Sequence, residues 1–276
     1  MKEKVSMVFD NCTIHPTAII EEGALIGAGS FIGPYCVIGA HVTLGENCTL
    51  KAHVCVDGYT TIGENTVIYP FASIGSAPQD LKYKGEKTEL IIGKNNKIRE
   101  HVTMNPGTVD GGGKTIVGDN GLFMVGVHVA HDCILGDNVI MANNATLGGH
   151  VTVGDRALIG GLAAVHQFVR IGSFAVIGGM SGVESDVIPF GRVKGERATL
   201  AGLNLEGLER GGFDKTQIKQ IQKAVNMIFS GEGNLDERIE DVSKAYHGDD
   251  LIMKLVEFAR QKERFGLCQP APKKAA

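Results

Sequence analysis

Three histidines, His128, His131 and His150, fall outside the regularly spaced aliphatic and small positions of the stretch from Val117 to Val183. Two of them lie in the run Val127-His128-Val129-Ala130-His131-Asp132-Cys133. Imidazole titrates nearest neutrality and is the usual side chain for moving a proton in catalysis. A carboxylate directly after His131, on Asp132, is placed to orient such a ring. A histidine base together with a backbone N–H that can hold an oxyanion is the equipment of acyl transfer to a hydroxyl. The closely spaced imidazoles of His128 and His131 also admit a zinc site, although no third ligand with matching spacing accompanies them. Nine histidines are present in all, so an ordinary surface position is the third reading. Nearby, Gly113-Lys114-Thr115 ends like a phosphate-binding loop, but position 108 is Thr where that loop requires Gly.

What must position these residues is a repeat. From Val117 an aliphatic, Phe or Met residue returns every sixth position through Phe123, Val129, Leu135, Met141, Leu147, Val153, Ile159, Val165, Ile171 and Ile177 to Val183. Four residues after each stands something small or β-branched, such as Val127, Cys133, Ala145 and Ala157. An earlier series runs without a slip from Ile14 through Ile20, Ile26, Ile32 and Ile38 to Ile74. A period of six describes short strands separated by bends and wound into a parallel β-helix. If three sides make a turn, a step of about 18 residues lies between stacked coils. That step puts Gly149 over His131 and His150 over Asp132. At ~4.7 Å per coil the repeats would build a prism roughly 40 Å long. The chain's 38 glycines fit frequent reversals, since Gly accepts positive φ cheaply.

Two stretches leave the repeat. Residues 75–91 are polar, take up one coil's worth of sequence and keep the phase. Residues 105–116 carry Gly111-Gly112-Gly113 and shift the phase by one. Loops leaving a solenoid commonly line its binding face. Residues 1–190 therefore read as the β-helix domain, and 191–276 as a linker and C-terminal helical domain. From Pro189 to Gly212 the chain reads as irregular and charged. Beyond it, Asp214 with Gln217 and Asn234 with Glu237 form capping-box spacings. Ile218, Ile221, Ala224, Val225 and Ile228 mark an apolar helix stripe. A second helix runs to about Tyr246 and a third from about Asp250 to Phe265, before a tail expected to fray.

Composition sets further bounds. A net charge of −4 argues against general affinity for nucleic acid or anionic membrane. No apolar run is long enough to span a bilayer, and Met1-Lys2-Glu3-Lys4-Val5 lacks the apolar core of a secretory signal. Cys36, Cys48 and Cys133 fall singly in the small core slot, indicating neither disulfides nor zinc pairs. A reduced, cytoplasmic location is expected.

Beyond the repeat, five strings resemble one family. They are Gln79-Asp80-Leu81-Lys82-Tyr83, His128 to Cys133, Ala142-Asn143-Asn144-Ala145-Thr146-Leu147, Ala164-Val165-His166-Gln167-Phe168 and Asn204-Leu205-Glu206-Gly207-Leu208. The family is the UDP-N-acetylglucosamine O-acyltransferases that begin lipid A synthesis. The resemblance implies an all-β left-handed parallel β-helix with a small C-terminal α-helical domain, assembled as a homotrimer with active sites between prisms. It implies transfer of an (R)-3-hydroxyacyl group from acyl carrier protein to the 3-hydroxyl of UDP-N-acetylglucosamine, with no cofactor and no metal. His131 would be the general base, Asp132 its orienting partner and the Gly149 N–H the oxyanion donor. Gln79, Asp80, His128, His150, His166 and Gln167 match sugar- and acyl-contacting positions. Lys82, Asn204, Glu206 and Arg210 match positions near the nucleotide and its phosphates. Gly179 matches the far end of the acyl groove, where Gly leaves room for a long chain. The chain departs from the family at Gly211, where a second arginine is frequent, at Arg197, where His is, and at Asn105-Pro106, which replaces a common His-Arg pair. The same chemistry on a 3-amino UDP-sugar and a zinc hydratase on the same scaffold are the alternatives. Because acyl carrier protein is acidic, Arg192, Lys194 and Arg197 would form a basic rim for it.

Overall fold

The computed structural model describes residues 11–261 and 263–272 and divides into two compact units, residues up to Asn138 and residues from Val139 on. In the first unit each hexad yields a two-residue strand whose second residue is the sequence-repeated aliphatic, as in Phe31–Ile32, Val37–Ile38 and Thr43–Leu44. Those second residues point inward, and Ile32, Ile38, Leu50, Ile68, Ile74 and Ile98 are fully buried. The strands form three parallel ladders along three sides of a coil, shown by the pairs Phe31↔Thr49, Val37↔Cys55 and Thr43↔Thr61. Backbone N–H groups donate from coil to coil at 2.7–2.9 Å, for example Lys51 to Ile68 and Gly45 to Ile62.

The bends divide the work of Gly differently from the sequence expectation. Positive φ falls three residues after the core residue and is taken mostly by other types: Asn47, His53, Asn65, Asn95, Asn120 and even Phe71. Asn and His tolerate the left-handed region, and a single such residue per bend is affordable. Glycines such as Gly45 and Gly63 instead stand directly after the core residue, with negative φ. A Cβ on Gly63 would lie 2.6 Å from the Gly93 carbonyl carbon, and one on Gly45 2.6 Å from the Glu64 nitrogen. Gly is needed there for close approach between coils.

The first excursion is also an addition rather than a replacement. Ser73–Ile74 and Glu89–Ile92 remain consecutive strands of the coil, so Asn96 lies 30 residues from its ladder neighbour Thr66 instead of 18. The second excursion lengthens its coil to 25 residues, the separation of Thr103 and His128.

In the second unit the same ladders recur, Thr146↔Ala164, Leu158↔Val176 and Thr152↔Arg170. The region expected to be irregular contains an antiparallel pair, Gly191–Lys194 with Thr199–Leu203, followed by a one-turn helix α1, Leu205–Arg210. Three longer helices follow, α2 (Lys215–Ser230), α3 (Leu235–Ala245) and α4 (Asp250–Arg260). Both capping boxes form, Asp214 with Gln217 and Asn234 with Glu237. Ile221, Ala224, Val225 and Ile228 are the buried face of α2, while Ile218 is only half-buried. The last helix stops at Arg260, because Arg170 closes its C-terminus by donating to the Phe258 and Gln261 carbonyls. Arg170 is itself held by the buried Asp186 carboxylate at 2.7 Å. Residues 266–270 do not fray: Gly266 accepts from Asp186, Cys268 donates to it, and Leu267 and Cys268 are buried.

If Gly63 serves close approach rather than φ, Gly63→Val will overpack the coil by about 1–3 kcal/mol and lower the melting temperature by several degrees. Asn65→Gly, at a positive-φ bend, will change it little. Equal effects in a thermal melt at fixed protein concentration would contradict this division.

Candidate active site

The first excursion, the second excursion and the strand His128–Val129 meet in the first unit. His131 lies at the bend after that strand, and Asp132 takes φ 60° there. This turn brings the two side chains together: His131 Nδ1 lies 2.7 Å from Asp132 Oδ2. A proton on Nδ1 points at the carboxylate, which fixes the orientation of the ring. The His131 side chain is 15% exposed, and that of Asp132 is wholly buried.

A buried carboxylate must be well hydrogen-bonded. Thr108 supplies two bonds, its N–H to Oδ1 at 2.8 Å and its hydroxyl to Oδ2 at 2.6 Å. The Asp132 N–H donates in turn to the Thr115 hydroxyl at 2.8 Å. Gly111 passes so close that a Cβ there would collide with the carboxylate. The second excursion is thus the clamp that holds Asp132. Sequence reading marked this loop but missed Thr108, Gly111 and Thr115 individually. The Thr at position 108 that disqualifies a phosphate loop is the main ligand of Asp132.

His128 hydrogen-bonds through Nδ1 to Thr103 of the preceding coil at 2.7 Å. Burial, and then the neighbouring His131, depress its pKa below the usual histidine range. It is therefore held neutral. Asn105, on the coil beneath Ala130, donates both amide hydrogens, to the carbonyls of Ser76 at 2.9 Å and Ala77 at 3.2 Å. It tethers the start of the first excursion. That excursion carries exposed Gln79, half-buried Asp80 and exposed Lys82. Asp80 and Lys82 line a shallow cleft with Tyr83, Glu86, Thr108 and Asp110. Lys82 reaches Asp110 at 3.4 Å across the two excursions. The Lys84 N–H lowers the pKa of the Glu86 carboxyl.

The remaining candidates belong to the second unit. Gly149 is buried, and its carbonyl accepts from Phe168. His150 stacks on the Phe168 ring at 4.3 Å. His166 and Gln167 are exposed on the same bend. Gly179 lies over Gly161, whose carbonyl oxygen would be 3.2 Å from an added Cβ. Asn204 is occupied structurally: it caps α1 by accepting from Gly207 and donates to the Phe174 carbonyl at 2.8 Å. The cap leaves Glu206 and Arg210 exposed on α1, 3.7 Å apart. Gly211 has a packing reason, since a Cβ would come within 2.6 Å of the Phe174 ring. Arg197 pairs with Glu184 at 2.6 Å in the open. Among the described residues no helix is long and apolar enough to cross a membrane.

His128 makes a pH prediction. Its folded pKa lies below the unfolded value near 6.5, so the unfolded chain takes up the proton first and stability falls as pH drops through that range. The melting temperature of the wild type will fall more between pH ~7.5 and ~5.5 than that of His128→Gln. Parallel curves would show that the histidine titrates alike in both states.

Comparison with known proteins then identifies the family. Residues 186–268 match the model described as "Udp N-acetylglucosamine O-acyltransferase; Domain 2", and residues 6–40 and 23–58 match the bacterial transferase hexapeptide model. The chain is 57% identical over 258 residues to a protein of Rickettsia canadensis (strain McKiel), covering 94% of this chain and 98% of that one. It is 59% identical over 259 residues to a protein of Rickettsia rickettsii (strain Sheila Smith), with the same coverage. Both relatives are named as UDP-N-acetylglucosamine O-acyltransferases that use an acyl-acyl-carrier-protein. The crystal structure of the UDP-N-acetylglucosamine O-acyltransferase of Moraxella catarrhalis RH4 matches with a TM-score of 0.90 at 41% identity, over 93% of this chain and 99% of that one. The coil is accordingly a left-handed parallel β-helix with a small C-terminal helical region. On this similarity along nearly its whole length, the chain belongs to the UDP-N-acetylglucosamine O-acyltransferase family.

Proposed function

We propose that the protein transfers an (R)-3-hydroxyacyl group from acyl carrier protein to the 3-hydroxyl of UDP-N-acetylglucosamine, the opening step of lipid A synthesis. The observation that carries the mechanism is the Thr108–Asp132–His131 network, in which a buried, hydrogen-bonded carboxylate orients the imidazole through Nδ1. His131 Nε2 takes the proton of the sugar hydroxyl as its oxygen attacks the thioester carbonyl carbon. The carbonyl oxygen gathers negative charge, which the Gly149 N–H stabilises. The C–S bond then breaks, and the leaving thiolate recovers the proton from His131. The thioester supplies the driving force, so the protein's part is positioning, a base and an oxyanion donor.

His128, held neutral, suits contact with an uncharged sugar hydroxyl or amide. Gln79, Asp80 and Lys82 on the first excursion would meet the acceptor, and Glu206 and Arg210 its nucleotide end. His150, His166 and Gln167 would contact sugar and acyl groups. Residues 1–190 form the acyl-transfer domain in this reading, and the chain after 190 forms the linker and helical domain. A cytoplasmic homotrimer is the proposed assembly. Arg192 and Lys194 project from alternate positions of one strand, both exposed, and provide the basic rim for the acidic carrier. Arg197 contributes less positive field because Glu184 sits against it.

Incubating purified protein with UDP-N-acetylglucosamine and 3-hydroxyacyl carrier proteins of several lengths will give a monoacylated UDP-sugar by mass spectrometry. His131→Ala will lower kcat by roughly 10²–10⁴-fold, and Thr108→Val, which removes one bond to a buried carboxylate, by roughly tenfold. Product formed only on a 3-amino sugar would redirect the reading to N-acylation. An unaffected His131→Ala would remove His131 from the mechanism.

Gly179 tests the groove. An added Cβ would meet the Gly161 carbonyl oxygen at 3.2 Å, a tight contact that asks the backbone to shift by a few tenths of an ångström. Gly179→Met will shift the preferred donor to a shorter acyl chain, read from the product masses across donor lengths. An unchanged chain-length profile would place the groove elsewhere.

A further inference from the structure

The segment after α4 carries two side chains, Arg264 and Phe265, that lie against rings of an earlier bend. On one side the chain is pinned by Arg170, which bonds to the Gln261 carbonyl and side chain. On the other it is pinned by the Gly266 and Cys268 bonds to Asp186 and by the Gln269 carbonyl, which accepts from Leu200. Arg264 and Phe265 lie between these anchors. The Arg264 guanidinium sits 3.6 Å over the Phe168 ring, whose ring also stacks on His150 at 4.3 Å with planes 6° apart. Phe168 stands at the positive-φ bend position, three residues after the core Val165, with φ 67°. The Phe265 edge meets His166 at 5.4 Å and 90°. His166 is exposed, and its Nδ1 lies 3.1 Å from the Gln167 carbonyl oxygen, so Phe265 is its second contact from the ring side.

We infer that Arg264 and Phe265 are positioning residues for acyl transfer. Arg264 sets the plane of His150 through Phe168, and Phe265 sets the plane of His166 directly. The inference rests on the reading of His150 and His166 as substrate contacts. A pre-oriented imidazole loses less freedom when substrate arrives, so the contribution is to substrate affinity rather than to the chemical step. Lysine cannot replace Arg264, because it has the charge without the planar group that stacks on a ring.

The test is a pair of double-mutant cycles on the full-length protein, Phe265→Ala with His166→Ala and Arg264→Ala with His150→Ala. KM for each substrate, kcat and melting temperature are read for every variant. Phe265→Ala will raise, by roughly threefold to tenfold, the KM of whichever substrate His166→Ala weakens. It will leave kcat within about twofold, and the double variant will be no worse than His166→Ala alone. Arg264→Ala will behave in the same way toward His150, and Arg264→Lys will not restore it. Multiplying effects, or a lowered melting temperature with unchanged KM, would overturn the inference and leave purely structural residues. If His150→Ala and His166→Ala are themselves silent, the substrate-contact reading has failed and takes this inference with it.

Discussion

The constraint on which everything else depends is the stacking of one coil directly on the next through backbone hydrogen bonds. Those bonds fix the spacing of the coils at the strand–strand distance. In the column through Gly45, Gly63 and Gly93 the spacing leaves no room for a side chain at the position after the inward residue, whereas Lys51, Tyr69 and Arg99 take that position in another ladder. It also makes the outward positions of successive coils neighbours in space. A side chain's neighbours are then set by counting along the chain, and a site can be assembled from residues a whole coil apart. Thr103 reaches His128 by this route.

What regular stacking cannot supply is a polar pocket around a buried charge. Inward slots are apolar, outward slots face solvent, and neither offers several convergent donors. The two excursions provide them. One brings Thr108 and Gly111 against the Asp132 carboxylate, and Asn105 ties the start of the other to the coil beneath His131. Clamping the carboxylate from the loop side fixes the oxygen that His131 meets. The ring is thereby oriented by a group that is itself immobile. Lys82 and Asp110 link the two loops at their tips, where an exposed ion pair contributes little to stability.

The helical region solves a different problem, the open end of a solenoid. The pair Gly191–Lys194 and Thr199–Leu203 turns the ladder back on itself, so the last parallel edge is not left bare. Phe174, Phe190 and Phe213 then pack together where α1 gives way to α2. That cluster is why position 211 is Gly. The buried Arg170–Asp186 pair serves two segments at once, since Arg170 caps α4 and the Asp186 backbone pairs with residues 266–268. A return of the chain that looks like a polar tail in sequence is in fact bonded on both sides.

The sequence by itself determined the coil, because a period of six with aliphatic and small slots admits one architecture. It also determined the capping boxes of α2 and α3, which depend on residues three apart, and the adjacency of His131 and Asp132. Each of these follows from local spacing. The tertiary structure alone decided what holds Asp132, because Thr108 is separated from it by a loop whose path no periodicity encodes. It decided that glycines such as Gly45 and Gly63 serve coil contact while most bends are taken by other residue types, since both roles fit the same composition. It decided that Asn204 spends its amide on a helix cap and on Phe174, and that Arg264 and Phe265 return to rings nearly a hundred positions earlier. Those contacts depend on where irregular segments close, and a closure is set by the packing of the whole chain around it.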